Sequence, residues 1–382
     1  MRPLQIYIHI PFCVRKCAYC DFLSFAAEEE TKRAYIRMLL REIEAWEDRG
    51  DACISTVFFG GGTPSVLPAE DIAAVLAALE KKFPFEEKTE ITVECNPGTL
   101  TADKLKSYRQ AGINRLSIGL QSAQEAELKL LGRIHTWEEF LESYRLSRAA
   151  GFQNINVDLM SALPGQSRET WRDTLEKVFA LSPEHISVYS LIIEEGTPFY
   201  ERYQADALRR ERGDACEILP SEEEERAMYH LTEKLLSERG YARYEISNYA
   251  LPGFACRHNC GYWERREYKG FGLGAASLVD HTRFSNTSDM RKYLAGRWTG
   301  AAPQHLTREE EIEETMFLGL RLREGVSFAR FRESFGVEME EIYGEILQKA
   351  EQQGLLVCTK EAVRLTEYGT DISNYVLAEF LL

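Results

Sequence analysis

Six short runs of β-branched and aromatic residues, Ile6 to Ile10, Ile54 to Phe59, Ile91 to Cys95, Arg115 to Gly119, Asn154 to Asp158 and His185 to Tyr189, alternate with segments of helical periodicity. The runs read as buried strands. Between them, Tyr35, Leu39, Ile43 and Trp46 share one helical face, as do Ile72, Val75, Leu76 and Leu79, and then Trp171, Leu175 and Val178. Strand, helix, strand repeated in this way predicts a parallel sheet, which right-handed crossovers curl into a barrel or partial barrel with its chemistry at the carboxyl ends of the strands. The unusual residues fall where that rule puts them. A cysteine loop follows the first run, Gly60-Gly61-Gly62-Thr63-Pro64-Ser65 the second, Glu94-Cys95-Asn96-Pro97 the third and Gln121-Ser122 the fourth; Asp158 closes the fifth and Ser190 follows the sixth.

The cysteine loop, Cys13-Val14-Arg15-Lys16-Cys17-Ala18-Tyr19-Cys20, suits three thiolates converging on one iron-sulfur cluster. A cubane of four irons needs four ligands, so three cysteines leave one iron open to a small molecule. That arrangement resembles the radical S-adenosylmethionine enzymes, in which the open iron takes the amino and carboxylate groups of the cofactor's methionine part. A structural zinc knot would need a fourth ligand nearby, and unligated thiols rarely cluster so tightly.

At 382 residues and 44% hydrophobic content the chain is long enough for one large domain and a smaller one. Its start, Met1-Arg2-Pro3-Leu4-Gln5, has none of the features of a secretory signal, and no stretch approaches a membrane span. Nine cysteines without an export signal read as reduced thiols and metal ligands, so the cytoplasm is the expected compartment and no stable membrane insertion is expected. A net charge of -15 repels a phosphate backbone, which argues against a nucleic-acid partner.

Past residue 200 the rhythm changes. Arg202 to Glu225 is charged and weakly apolar, Tyr229 to Leu236 reads as a helix, and Tyr241 to Leu278 is aromatic and punctuated by glycine, which suits more sheet or an extension of the barrel. From about Thr307 come three helical segments, a short hairpin (Gly354 to Cys358 and Ala362 to Thr366) and a last helix, an order that resembles a winged helix. The segment that would enter a DNA groove, Val337 to Glu345, is acidic, so packing or partner docking is the expected role. The expected fold is α/β: a partial (β/α)6 TIM-like barrel core over residues 1–200, a barrel extension over 201–300 and a C-terminal α+β winged-helix-like domain over 301–382.

Gly60, Gly61 and Gly62 lack Cβ, so the backbone there can turn sharply and approach a ligand. Glu94, Gln121 and Asp158 offer acceptors and donors for an ammonium group and ribose hydroxyls, Arg133 could pair with a carboxylate, and Tyr7 and Tyr19 flank the cluster loop. Taken singly, each suits equally well a polar residue that caps a helix or satisfies a turn.

The strings IYIHIPFC, CAYCDF, FFGGGTPS, ITVECNP, GLQS with Gly132-Arg133 after it, and NVDLMSALPGQ together resemble the oxygen-independent coproporphyrinogen oxidase family of the radical S-adenosylmethionine superfamily, over nearly the whole chain. The resemblance implies that Cys13, Cys17 and Cys20 ligate a [4Fe-4S] cluster and that Tyr7, Tyr19, Gly61, Gly62, Thr63, Glu94, Gln121, Arg133, Asp158 and Ile192 line S-adenosylmethionine. Within the family, the decarboxylating oxidase carries a fourth cysteine two residues past the third and a long N-terminal extension; this chain has Asp21-Phe22 there and begins a few residues before its first strand. Both features resemble the haem-chaperone branch. So does His258-Asn259-Cys260-Gly261-Tyr262-Trp263, which matches an HNxxYW string proposed there to bind haem: an imidazole is a good axial ligand, Asn259 could orient it, and Tyr262 and Trp263 offer flat surface to a porphyrin. Cys256, His258 and Cys260 could alternatively furnish three zinc ligands if a fourth were recruited. The branch implies haem as cargo, acceptor haemoproteins as partners, and an electron donor if the cluster is reduced. It names no catalytic residue. The alternative is the oxidase itself, a radical enzyme decarboxylating propionate side chains; a third is an interaction protein that merely retains a cluster. The remaining cysteines, Cys53, Cys95, Cys216 and Cys358, read as small buried or incidental residues, and His9 has no assigned role.

Overall fold

The computed structural model describes all residues from Met1 to Leu382. Six parallel strands stand in sequence order: β1 (Arg2–Ile10), β2 (Ala52–Gly61), β3 (Phe85–Cys95), β4 (Arg115–Gln121), β5 (Ile155–Ser161) and β6 (His185–Ser190). Helices return the chain between them: α1 (Glu29–Ala45), α2 (Ala69–Lys82), α3 (Ala102–Gln110), α4 (Glu125–Leu131), α5 (Trp137–Ala149) and α6 (Arg168–Phe179). After α7 (Pro198–Glu211) and α8 (Glu222–Ser237) come β7 (Ala242–Arg243) and β8 (Asn248–Ala250); β8 adds antiparallel to β6, and β7 antiparallel to β8 at the edge. A short helix, α9 (Arg257–Trp263), leads to β9 (Tyr268–Phe271), which pairs parallel to β1 on the opposite edge. There β10 (Ala276–Val279), β11 (Thr282–Ser285) and β12 (Gln304–His305) complete a sheet of twelve strands that stays open, so the barrel is partial, as its periodicity predicts.

Alternation along the six parallel strands sorts their residues between two environments. Leu4, Ile6, Ile8 and Ile10 of β1, Val57 and Phe59 of β2, Leu116, Ile118 and Leu120 of β4, and Ile155, Val157 and Leu159 of β5 are fully buried in one core against the helices. Their neighbours, Tyr7, Phe58, Glu94, Arg115, Ser117, Asn156, Asp158, Ser187 and Tyr189, face inward and surround a cavity. A polar lumen is unusual for parallel strands, which are normally apolar on both faces. The fifth strand also runs on to Ser161, so Asp158 stands in mid-strand and does not close it.

The helices begin where local chemistry stops the chain. Thr136 and Ser167 make capping boxes with Glu139 and Thr170, and Thr101 and Ser221 accept from the third backbone N–H of α3 and α8. Trp46, expected on the face of α1, is the residue after its end and packs half-buried against Phe83.

Residues from Ile312 to Phe380 enclose a second apolar core, with three helices (Arg308–Gly319, Phe328–Phe335, Met339–Gln352), a three-stranded sheet and two short final helices. Its first helix joins the rest through ion pairs: Arg265 to Glu311 (2.6 Å) and Glu314 (2.9 Å), and Arg283 to Glu314 (2.7 Å). No helix of the chain is long and apolar enough to cross a membrane.

Candidate functional site

At the carboxyl ends of β1 to β6 lies a cavity of about 440 Å³ lined by Cys13, Cys17 and Cys20, by Tyr19, and by Gly61, Gly62, Thr63, Glu94, Gln121, Arg133, Asp158 and Ile192. The loops are stitched to one another by backbone bonds: Gly62 N–H donates to Ile10 O (2.8 Å), Thr63 N–H to Phe12 O (2.8 Å), and Ala18 N–H to Leu131 O (3.0 Å). A Cβ at position 62 would come within 2.9 Å of the Phe12 and Ile10 carbonyls, so only glycine admits this approach. At Gly61 the reason is double. Its φ is +112°, and a Cβ would overlap the imidazole of His9.

His9, which had no assigned role, holds the loop that follows the cysteines. Its Nε2 bonds Leu23 O (2.9 Å) and its Nδ1 meets the Tyr7 hydroxyl (3.1 Å). Asn96 is a second residue that its motif string alone did not single out. Its amide donates to Thr63 Oγ1 (3.0 Å) and its carbonyl accepts from Arg133 Nη2 (2.8 Å), tying three strand ends together. Arg133 also donates to Gly119 O (2.6 Å) and lies 3.6 Å from Cys17 Sγ, which leaves Nε as its unpartnered donor. Gln121 ends β4 in the left-handed region (φ +73°) beside a register shift between Gly119 and Gln121.

The thiols fit a cluster better than a single ion. No three Cys, His, Asp or Glu side chains of the chain stand close enough to share one metal ion. Three thiols around one cavity, too dispersed for zinc, suit a larger inorganic core. The same geometry disposes of a zinc site at Cys256, His258 and Cys260.

Deeper in the lumen, Asp158 accepts from Ser117 (3.0 Å) and Asn156 (2.7 Å), while Glu94 accepts the Gly61 N–H (3.1 Å). Burial, reinforced by the neighbouring Asp158, pushes Glu94 up to about 8. Tyr7 lines this lower chamber, with its hydroxyl on His9.

The HNxxYW string lies on α9, which plugs the floor of the barrel. Glu90 accepts the first N–H groups of that helix, from Arg257 (3.1 Å) and His258 (3.1 Å), and Gln5 donates to the carbonyl of His258 (3.1 Å). Gly261 leaves room for the Gln5 amide, which a side chain there would have to displace. His258 is 1% exposed, stacks on Phe58, and has both ring nitrogens engaged: Nδ1 with Thr56 Oγ1 (2.7 Å) and Nε2 with the Tyr262 hydroxyl (3.1 Å). Burial, with Arg115 nearby, drops it to about 3. Asn259 and Tyr262 line the same chamber, whereas Trp263 sits against the guanidinium of Arg321, 4.4 Å away. Residues 258 and 262 share a helical face and residue 263 does not. The structure therefore departs from the expected open imidazole beside a Tyr-Trp platform.

Comparison with known proteins follows the same outline. Residues 7–178 match the radical SAM superfamily and residues 306–372 the HemN C-terminal domain. The chain is 37% identical to the heme chaperone HemW of Lactococcus lactis, over 100% of this chain and 98% of that protein. It is 36% identical to the heme chaperone HemW of Bacillus subtilis, over 98% of each. Among solved structures, the radical SAM coproporphyrinogen III oxidase HemN of Escherichia coli superposes with a TM-score of 0.82 at 22% identity, covering 100% of this chain and 90% of that one, which establishes the shared fold.

Proposed function

Since this chain belongs to the haem chaperone HemW family of the radical SAM superfamily, we propose that it carries a [4Fe-4S] cluster on Cys13, Cys17 and Cys20, binds S-adenosylmethionine beside it, and holds haem for delivery to acceptor haemoproteins. The observation that carries the reading is the cavity at the strand ends, where three cysteines, the glycine loop and the polar ends of β3 to β5 converge. When bound, the cluster supplies an electron to the sulfonium and so the capacity for radical chemistry, for which an electron donor is a further partner.

The chain's own residues account for the rest. His9 and Asn96 hold the cluster loop and Thr63 in place. Gly61 and Gly62 bring backbone close to the methionine part, with Tyr19 and Ile192 as walls, Ile192 exposed at the rim. Glu94, Gln121 and Asp158 present acceptors to ammonium and hydroxyl groups, and Arg133 keeps Nε free for a carboxylate.

Haem is the cargo. Ligation by His258, with Asn259, Tyr262 and Trp263 around it, requires α9 to leave the barrel floor, because neither ring nitrogen is free while it stays. Asp21 and Phe22, where the oxidase has its fourth cysteine, favour cargo handling over propionate decarboxylation. The reading also divides the chain into a barrel core to about residue 200, an extension to 300 and a C-terminal domain.

An anaerobic titration of the reconstituted protein with haem tests it. A Soret band that saturates at one haem per chain, shifts on cluster reduction and weakens in His258→Ala is the expected result. No Soret band overturns the cargo assignment, and a band indifferent to His258→Ala overturns the ligand.

A further inference from the structure

Between the cofactor cavity and α9 lies a second chamber of about 170 Å³, whose walls include Glu94, Arg115, Ser117, Asn156, Asp158 and Tyr189. It shares Glu94, Ser117, Asp158 and Tyr189 with the cavity above. Arg115 opens β4 and reaches into this space at 2% exposure. Its Nε has no hydrogen-bond partner, and Glu90 and Asp158 act on it only through space. Those carboxylates are engaged elsewhere: Glu90 with the N–H groups of α9, Asp158 with Ser117 and Asn156. Burial raises Glu94 to about 8, so it carries little charge near pH 7 to repel an anion. A buried guanidinium without a hydrogen-bonded counter-charge is destabilising, and a ligand oxyanion would relieve it.

We propose that this chamber is an anion subsite in which Arg115 forks a small carboxylate. The volume holds a handful of waters, enough for a carboxylate on a short carbon arm and too little for a macrocycle. The carboxylate arrives either as a free acid or as the side arm of a larger molecule lodged in the cavity above. The site stands whether or not the chain carries haem.

The test uses the full chain, with and without its cluster. Acetate and propionate are titrated against chloride at matched ionic strength, followed by thermal unfolding and by line broadening of ¹³C-carboxylate signals. In parallel, haem is compared with haem dimethyl ester by absorbance. Expected for a free acid is a saturable rise in the unfolding midpoint that Arg115→Met abolishes and Arg115→Lys weakens about tenfold. Expected for a side arm is that esterification and Arg115→Met each weaken haem binding about tenfold or more, with free acids inert. Without any carboxylate, Arg115→Met should be at least as stable as the wild type. Should Arg115→Met fail to fold, Arg115→Lys carries the test. Carboxylate responses equal in the wild type and Arg115→Lys, or no response from either source, overturn the subsite and leave a water-filled chamber.

Discussion

The imidazole of His9 occupies the volume that a side chain at Gly61 would need, while the same ring holds the carbonyl of Leu23 at 2.9 Å. One residue on β1 thus fixes both the glycine loop and the loop that trails the cysteines.

Gly61→Ala should lose about 1–2 kcal/mol from the positive φ alone, with steric overlap added. In urea unfolding, combining it with His9→Ala should recover part of the steric share. Strict additivity of the two changes would show that they do not share this contact.

Serine substitutions at Cys13, Cys17 and Cys20 should each remove most of the chain's anaerobically reconstituted iron, whereas Cys358→Ser, on a short strand packed against the C-terminal core, should retain it. His9→Ala should lower cluster retention without removing a sulfur, because the Leu23 anchor goes with it. Iron and sulfide assays with Mössbauer spectra read both. Full iron content in the three serine variants would remove the cluster from the proposal.

Glu90→Ala takes away the acceptor of the first N–H groups of α9, at a cost of about 1–3 kcal/mol. Hydrogen exchange of amides 257 and 258 should accelerate well beyond that of β1. If haem capture needs α9 to open, haem association should become faster in the same variant.

Two lumen groups give opposite pH slopes to stability. His258 is held near 3 by burial, below its unfolded value of 6.5, so its contribution is complete above pH 6.5 and is lost as pH falls towards 3. Glu94 is held near 8, above its unfolded 4.5, so its contribution is complete below pH 4.5 and is lost as pH rises towards 8. His258→Gln should flatten the acid limb and Glu94→Gln the neutral limb, each by up to about 1.4 kcal/mol per pH unit. Urea midpoints across pH 4 to 9 measure both, and limbs unchanged in the variants would refute these assignments.

Much of this molecule is written in short stretches of chain. The six strands were legible because each apolar run is only a few residues long and is bounded by glycine or polar residues; the observed strands contain nearly all of those runs and extend them by up to six residues, at the start of β3. The cysteine loop and the glycine loop were legible because their spacing is local. His9 and Asn96 were less so. Each lies inside a recognisable string, yet their partners, Leu23 and Gly61, or Thr63 and Arg133, lie up to 52 residues away along the chain or on other strand ends.

The sequence by itself determined the succession of strands and helices, the place of the polar residues at the strand ends, and the three sulfurs, because side-chain periodicity and loop spacing are properties of neighbouring residues. Only the tertiary structure decided that alternate residues of those strands make a polar lumen, since which face of a strand meets helices depends on how the sheet curls. It also decided that the HNxxYW helix closes the floor through Glu90, Gln5 and Thr56, 168 to 253 residues distant, and so turns His258 from an open ligand into a buried, doubly bonded wall. Long-range packing sets which donors are spent and which, like Arg115, are left over, and no local pattern carries that information.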